Sequence, residues 1–103
     1  MIRHIVMLNL ADGYDPVELL AVLTELSLLD LPGFTAFEHG PNRDFEGRSP
    51  AYPYGFVCTF DNEDALSLYA ADPTHQALGK RLVALCKADG IMVVDLAVAA
   101  MPV

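Results

Sequence analysis

The chain has no tryptophan, two cysteines, and six lysines and arginines together in 103 residues. Each shortage closes off a class of function. Nucleic-acid binding draws on Lys and Arg to neutralise phosphates, and a formal net charge of −8 points the other way. That charge also disfavours an anionic membrane surface. The acidic residues are spread out rather than massed in a tail, as a solvated face would have them. Cys58 and Cys86 show no C-x-x-C or metal-type spacing and read as small core residues. No apolar run approaches about 20 residues. The opening MIRHIVMLNLADG has no long apolar stretch with a cleavage site, so a cytoplasmic location is the expectation. G-x-G-x-x-G, P-loop, H-E-x-x-H and G-x-S-x-G motifs are missing too, which removes dinucleotide, nucleotide, zinc-protease and α/β-hydrolase readings.

What is present is hydrophobic bulk. At 103 residues the chain has room for one domain, residues 1–103, yet 53% of it is hydrophobic. A domain this small buries its apolar surface only marginally by itself, and a subunit interface is the natural place for the excess.

Turn and cap signals divide the chain cleanly. Alternation over residues 2–10 predicts a strand. Asp15-Pro16 is a helix cap followed by proline at the first helical position, which predicts a helix over 16–29 stopped by Leu31-Pro32-Gly33. FTAFEH, residues 34–39, predicts a second strand. The proline- and glycine-rich stretch from Gly40 to Pro53 predicts a mobile surface loop beside the mouth of any pocket. YGFVCTF, residues 54–60, predicts a third strand. Asp61 or Asn62 caps a short helix ending near Ala71, and Asp72-Pro73 opens another running to about Lys87. Asp89-Gly90 then turns the chain into a last strand from Ile91 to about Val98.

This order is the split β-α-β pattern of a ferredoxin-like α+β fold, a four-stranded antiparallel sheet with helices on one face. The first strand is then central, and with one wet face it should alternate apolar and polar. It does not: Ile5 and Met7 oppose Val6 and Leu8, and the last strand is apolar on both sides. The helices cover only one face, so the simplest cover for the other is a second copy of the sheet. An apolar outer row of Ile5, Met7, Val57 and Phe37 is expected to meet it, making a homodimer. Sequence parity also assigns His39, with Thr35 and Phe37, to that dimer side or to the strand end.

Three residues could carry chemistry at the helix–sheet layer. His4 shares the face of Val6 and Leu8. His75 heads a stripe continued by Leu78, Gly79, Leu82 and Cys86. Glycine inside a helix costs about 1 kcal/mol against alanine, so Gly79 should have a packing reason. Tyr69 ends the preceding helix, and the Asp72-Pro73 turn allows it to approach His75. Imidazole titrates near neutrality and suits proton transfer, while a tyrosine hydroxyl can donate to a developing oxyanion. The alternative is that all three are core residues with satisfied polar atoms. The histidines have no mutual ligand spacing, and no metal is expected.

MIRHIVMLNL, LPGFTAFEHGPN, YGFVCTFDNEDALSLYAADPTHQALGKRL and VVDL together resemble the stress-responsive A/B barrel domain (Dabb) family nearly end to end. Tyr69…Asp72-Pro73-x-His75 is the most specific part. The resemblance implies a dimeric α+β barrel with two sheets face to face. One similar enzyme type, the polyketide cyclase that makes olivetolic acid, implies a cofactor-free lyase. There the counterpart of His75 is the general base, that of Tyr69 its partner, and that of His4 lines the pocket. The third-strand histidine of that cyclase aligns with Tyr54 here, a departure that puts the same aldol cyclisation in doubt while leaving Tyr54 at the substrate pocket. A small apolar or aromatic ligand follows as the expected partner. Related dimeric barrels include cofactor-free monooxygenases and haem-degrading enzymes, the alternative enzymatic class, and a non-catalytic structural stress protein is a third reading.

Overall fold

The structure, a computed structural model, describes residues 1–101. Its elements are β1 (Ile2–Leu10), α1 (Pro16–Ser27), β2 (Phe34–Pro41), β3 (Tyr54–Phe60), α2 (Glu63–Ala71), α3 (Pro73–Leu85) and β4 (Cys86–Ala97). The strands form one antiparallel sheet in the order β2-β3-β1-β4, with β1 central as the pattern requires. This is the ferredoxin-like fold.

Caps set the helix starts. The Asp15 side chain accepts from the Val17 and Glu18 amides, and the Asn62 side chain accepts from Ala65. Asn62, not Asp61, is the cap of α2. Each helix presents a short apolar stripe to the sheet: Leu19, Val22, Leu23 and Leu26 from α1, Ala65 and Tyr69 from α2, and Leu78, Leu82 and Leu85 from α3. These pack on Val6, Leu8, Phe56, Cys58 and Phe60, all buried. Arg81 of α3 bonds Glu18 through two nitrogens and Glu25 through a third, tying α3 to α1 above this core.

Two irregularities correct the reading by sequence parity. In β2, Phe34 pairs with Phe60 but Ala36 already pairs with Thr59, so one extra residue is accommodated. Beyond that bulge Phe37 lies opposite Cys58 and His39 opposite Phe56, on the helix side of the sheet. Phe37 therefore stacks on Phe56 rather than joining the outer row, where Glu38, opposite Val57, takes its place. At the other edge, α3 ends at Leu85, and Cys86 at once pairs with Leu10. From the pair Leu10–Cys86 to the pair Leu8–Ile91, β1 covers two steps and β4 five, leaving three extra residues in β4. Asp89 takes φ +54° there, so Asp89-Gly90 shapes a bulge within the strand instead of a turn before it.

The helix-free face is built from cross-strand rows. Val94, Ile5 and Val57 line up in one, and Met92, Met7 and Gly55 in the next. Met92, Val94 and Leu96 are 40–47% exposed in the single chain. Among the described residues no helix is long and apolar enough to cross a membrane.

Candidate active site

Between α1, α3 and the sheet lies a cavity of about 170 Å³, with His4, Tyr69, His75 and Gly79 in its lining. Its remaining walls are hydrocarbon: Val6 and Phe56 from the sheet, Leu26 and Leu82 from the helices, Ile91 and Val93 from β4. Larger hollows occur on the helix-free face, about 340 Å³, and around the 42–49 loop, about 560 Å³. Both are open grooves: the first sets Glu38 and His39 over Ile5, Met7 and Val57, the second is lined mostly by the loop's polar residues, and neither joins two histidines to a tyrosine.

Asp72 builds the polar end. Its backbone N–H donates to the Tyr69 carbonyl and closes α2, while its side chain accepts from the His75 amide at 2.9 Å and opens α3. One residue thus fixes the approach of the two rings, whose centroids lie 3.8 Å apart with 33° between planes. The Tyr69 ring also meets His4 edge-on at 5.7 Å and packs on Phe60 at 5.0 Å and Phe34 at 5.6 Å. It is 1% exposed, and its hydroxyl has a single partner, the Cys58 thiol at 3.7 Å. Sulfur is a weak acceptor, so this phenol keeps most of its capacity to donate to a better oxygen.

His75 is half-buried, and its Nδ1 is buried with no hydrogen-bond partner. Burial and then the neighbouring His4 hold its imidazole below the usual histidine range. The Ala70 and Tyr69 carbonyls act the other way, though neither meets hydrogen-bond geometry to Nδ1. Burial pushes the Cys58 thiol up to about 11 and raises the Tyr69 phenol strongly. At neutral pH the His75 imidazole and the Tyr69 phenol in the cavity wall are therefore both neutral, as is the Cys58 thiol behind the phenol. A base and a hydrogen-bond donor stand side by side with little water around them.

Asp95 was not singled out from the sequence. Its carboxylate lies 2.6 Å from His4 Nδ1, across the β1–β4 pair. The signal was available: a lone carboxylate in the apolar run IMVVDLAV, at the parity of Ile91 and Val93.

Tyr54 departs from the expected site. It is not in the cavity lining, and its hydroxyl meets His39 Nδ1 at 2.7 Å at the far end of the sheet. The 42–53 loop is likewise absent from the lining. It is laced internally, with Asn42 donating to Ser49 and to the Tyr52 carbonyl, and Asp44 accepting from Ser49. Gly79 has no protein neighbour to account for it: a Cβ there would meet nothing within 4 Å outside its own helix. Among the described residues no three His, Cys, Asp or Glu side chains are grouped as metal ligands would be.

The family model of the Stress Responsive A/B Barrel Domain matches residues 2–98. The chain belongs to this family. A dimeric ferredoxin-like protein of unknown function from Jannaschia sp. CCS1 is 48% identical, covering 94% of this chain and 98% of its own, with a TM-score of 0.79. The Dabb fold seen here is also similar to the hydroxynitrile lyase of Passiflora edulis, 15% identical over 98% of this chain and 96% of that one, with a TM-score of 0.80. SnoaB, a cofactor-independent oxygenase from Streptomyces nogalater, is 16% identical over 97% and 94%, with a TM-score of 0.77. At those identities the likeness is one of fold alone. No curated protein matches the chain.

Proposed function

We propose that this Dabb protein is a cofactor-independent enzyme of the lyase or cyclase kind. It binds a small apolar carbonyl compound and removes a proton from the carbon beside the carbonyl. The observation that carries this reading is the neutral, under-bonded His75 set against the Tyr69 ring at the end of an apolar cavity. In neutral imidazole one nitrogen keeps its proton and the other is the base. Nδ1, buried near the Tyr69 and Ala70 carbonyls, is the natural place for the N–H, which leaves Nε2 to accept. The C–H bond breaks, the proton passes to Nε2, and the electron pair moves onto the carbonyl oxygen. The Tyr69 hydroxyl donates to that oxygen in preference to the Cys58 thiol. The same base and donor serve aldol-type ring closure and cleavage of a cyanohydrin. A hydroxynitrile lyase and a cofactor-independent oxygenase share this fold to a similar degree, so the choice of lyase chemistry rests on the base and donor paired at His75 and Tyr69.

The working form is a homodimer joined through the helix-free face. Its support is the bare apolar rows and the 48% identical Jannaschia protein, which is dimeric.

The test is deuterium uptake. Acetophenone incubated with the protein in D₂O should gain deuterium in its methyl group, followed by proton NMR, faster than with the His75→Ala variant. Equal rates for the two proteins while the ketone is bound would refute a catalytic base.

A further inference from the structure

Gly79 stands in the middle of α3 with no protein atom that requires a glycine there. Three other glycines are forced. A Cβ on Gly33 would lie 2.5 Å from Ala65 Cβ, one on Gly55 2.9 Å from the Val6 carbonyl, and one on Gly90 2.6 Å from the Lys87 carbonyl. A Cβ on Gly79 would meet nothing within 4 Å outside its own helix, and the backbone there is ordinary α-helix. Glycine in a helix interior loses stability relative to alanine, so its presence calls for a compensating role. What a methyl group would enter is the cavity, because Gly79 lies in its lining one turn after His75 and one turn before Leu82.

We propose that Gly79 sets what the cavity accepts: its missing side chain leaves room beside His75 for one compact ring, and the ligand is a single-ring aldehyde or ketone, not a long-chain one. This rests on the reading of the cavity as a ligand site. The volume, about 170 Å³, is close to that of an apolar cavity of about 150 Å³ known to take up benzene, and well below the roughly 300 Å³ at which pockets for larger ligands begin. The polar groups sit together at the Tyr69–His75 end, while Val6, Leu26, Phe56 and Leu82 supply only hydrocarbon. A ligand held here turns its carbonyl to that end and lays its ring along Gly79. A long alkyl tail has no wall left to cover it.

The experiment is calorimetric titration of acetophenone and of 1-phenylhexan-1-one into the full chain and into Gly79→Ala and Gly79→Leu, with a thermal melt of each protein. Wild type should bind acetophenone at least as tightly as the longer ketone. Gly79→Ala should raise Tm by on the order of 4 °C and still weaken acetophenone at least fivefold, and Gly79→Leu should abolish binding. A raised Tm with unchanged affinity would overturn the role of Gly79 while leaving the ligand site standing. So would a lowered Tm for Gly79→Ala, which would mean the space is needed for packing. Tighter binding of the longer ketone would overturn the size limit. If wild type takes up neither ketone, the ligand site itself falls, and this proposal with it.

Discussion

Asp95 holds His4 from the neighbouring strand, carboxylate oxygen to Nδ1 at 2.6 Å, with the imidazole 13% and the carboxylate 44% exposed. A carboxylate can only accept in this bond, so His4 turns an Nδ1–H to Asp95 and the ring orientation is fixed. His4 in turn meets the Tyr69 ring edge-on and is one of the groups that depress protonation of His75. The pair links the interior of the cavity to solvent. Asp95→Asn should lower deuterium exchange about tenfold, less than loss of the base itself. Its thermal midpoint should stay close to wild type, because the carboxylate is half in water. Rescue by Asp95→Glu would separate a positioning role from a packing one, and an unchanged exchange rate in Asp95→Asn would remove Asp95 from the mechanism.

His75→Ala should reduce exchange by on the order of 10²–10⁴-fold, the usual worth of a general base. The fold should survive, because the ring forms no side-chain hydrogen bond that the change would break, and its buried Nδ1 is unpartnered. Circular dichroism and a melt close to wild type would complete the result. Unfolding of this variant would favour a structural histidine.

Tyr69→Phe should cost less than His75→Ala yet still slow exchange, with the loss in kcat rather than KM, if the hydroxyl meets charge only as it develops. Stability should change by less than about 1.5 kcal/mol, since the hydroxyl gives up only the thiol contact at 3.7 Å. A rate equal to wild type would leave the oxyanion without a donor.

The depressed affinity of His75 for protons has two pH consequences. The base stays neutral below its ordinary value of 6.5, so exchange should persist at pH values where a solvated imidazole is already protonated. Stability moves with pH as well. Between the lowered folded value and 6.5 the unfolded chain binds more protons than the folded one, so this residue makes the fold less stable as pH falls through that window. Melts of wild type and His75→Ala compared across the window should diverge at the acid end, with wild type losing more. Parallel curves would show that the group is not perturbed.

Met7→Asp should split the dimer or unfold the chain, because Met7 sits on the central strand opposite both Met92 and Gly55. A buried, unpaired charge in that row costs several kcal/mol. Light scattering on dilution reads the outcome, and a dimer unaffected by the charge would move the interface elsewhere.

Much of the fold was legible because its punctuation is strong. Asp15-Pro16 and Asp72-Pro73 mark helix starts by their chemistry, and β1 shows its faces through Val6 and Leu8 against Ile5 and Met7. The misreadings fall where local pattern yields to pairing. The β2 bulge reverses the parity of Phe37 and His39, and no single-strand alternation could reveal it, since it exists only relative to β3. The start of β4 was hidden in the same way: Cys86 is drawn into the sheet by Leu10, a residue far away in sequence. At the site, His4, Tyr69 and His75 could be placed because their elements were readable. Asp95 escaped because its significance lies in a cross-strand neighbour, while Tyr54, expected at the pocket, lies outside its lining with its hydroxyl turned to His39.

The double use of Asp72 decides which end of the cavity is closed. Only Asp72, Pro73 and Thr74 separate the end of α2 from His75 along the chain, and both helix ends close on the same side chain and amide. Tyr69 and His75 are thereby held against one another, ring centroids 3.8 Å apart. A molecule taken up under the proposed function would enter not between these two rings but along the flank between α3 and β4, where Val93 is 48% exposed and Gly79 presents no side chain.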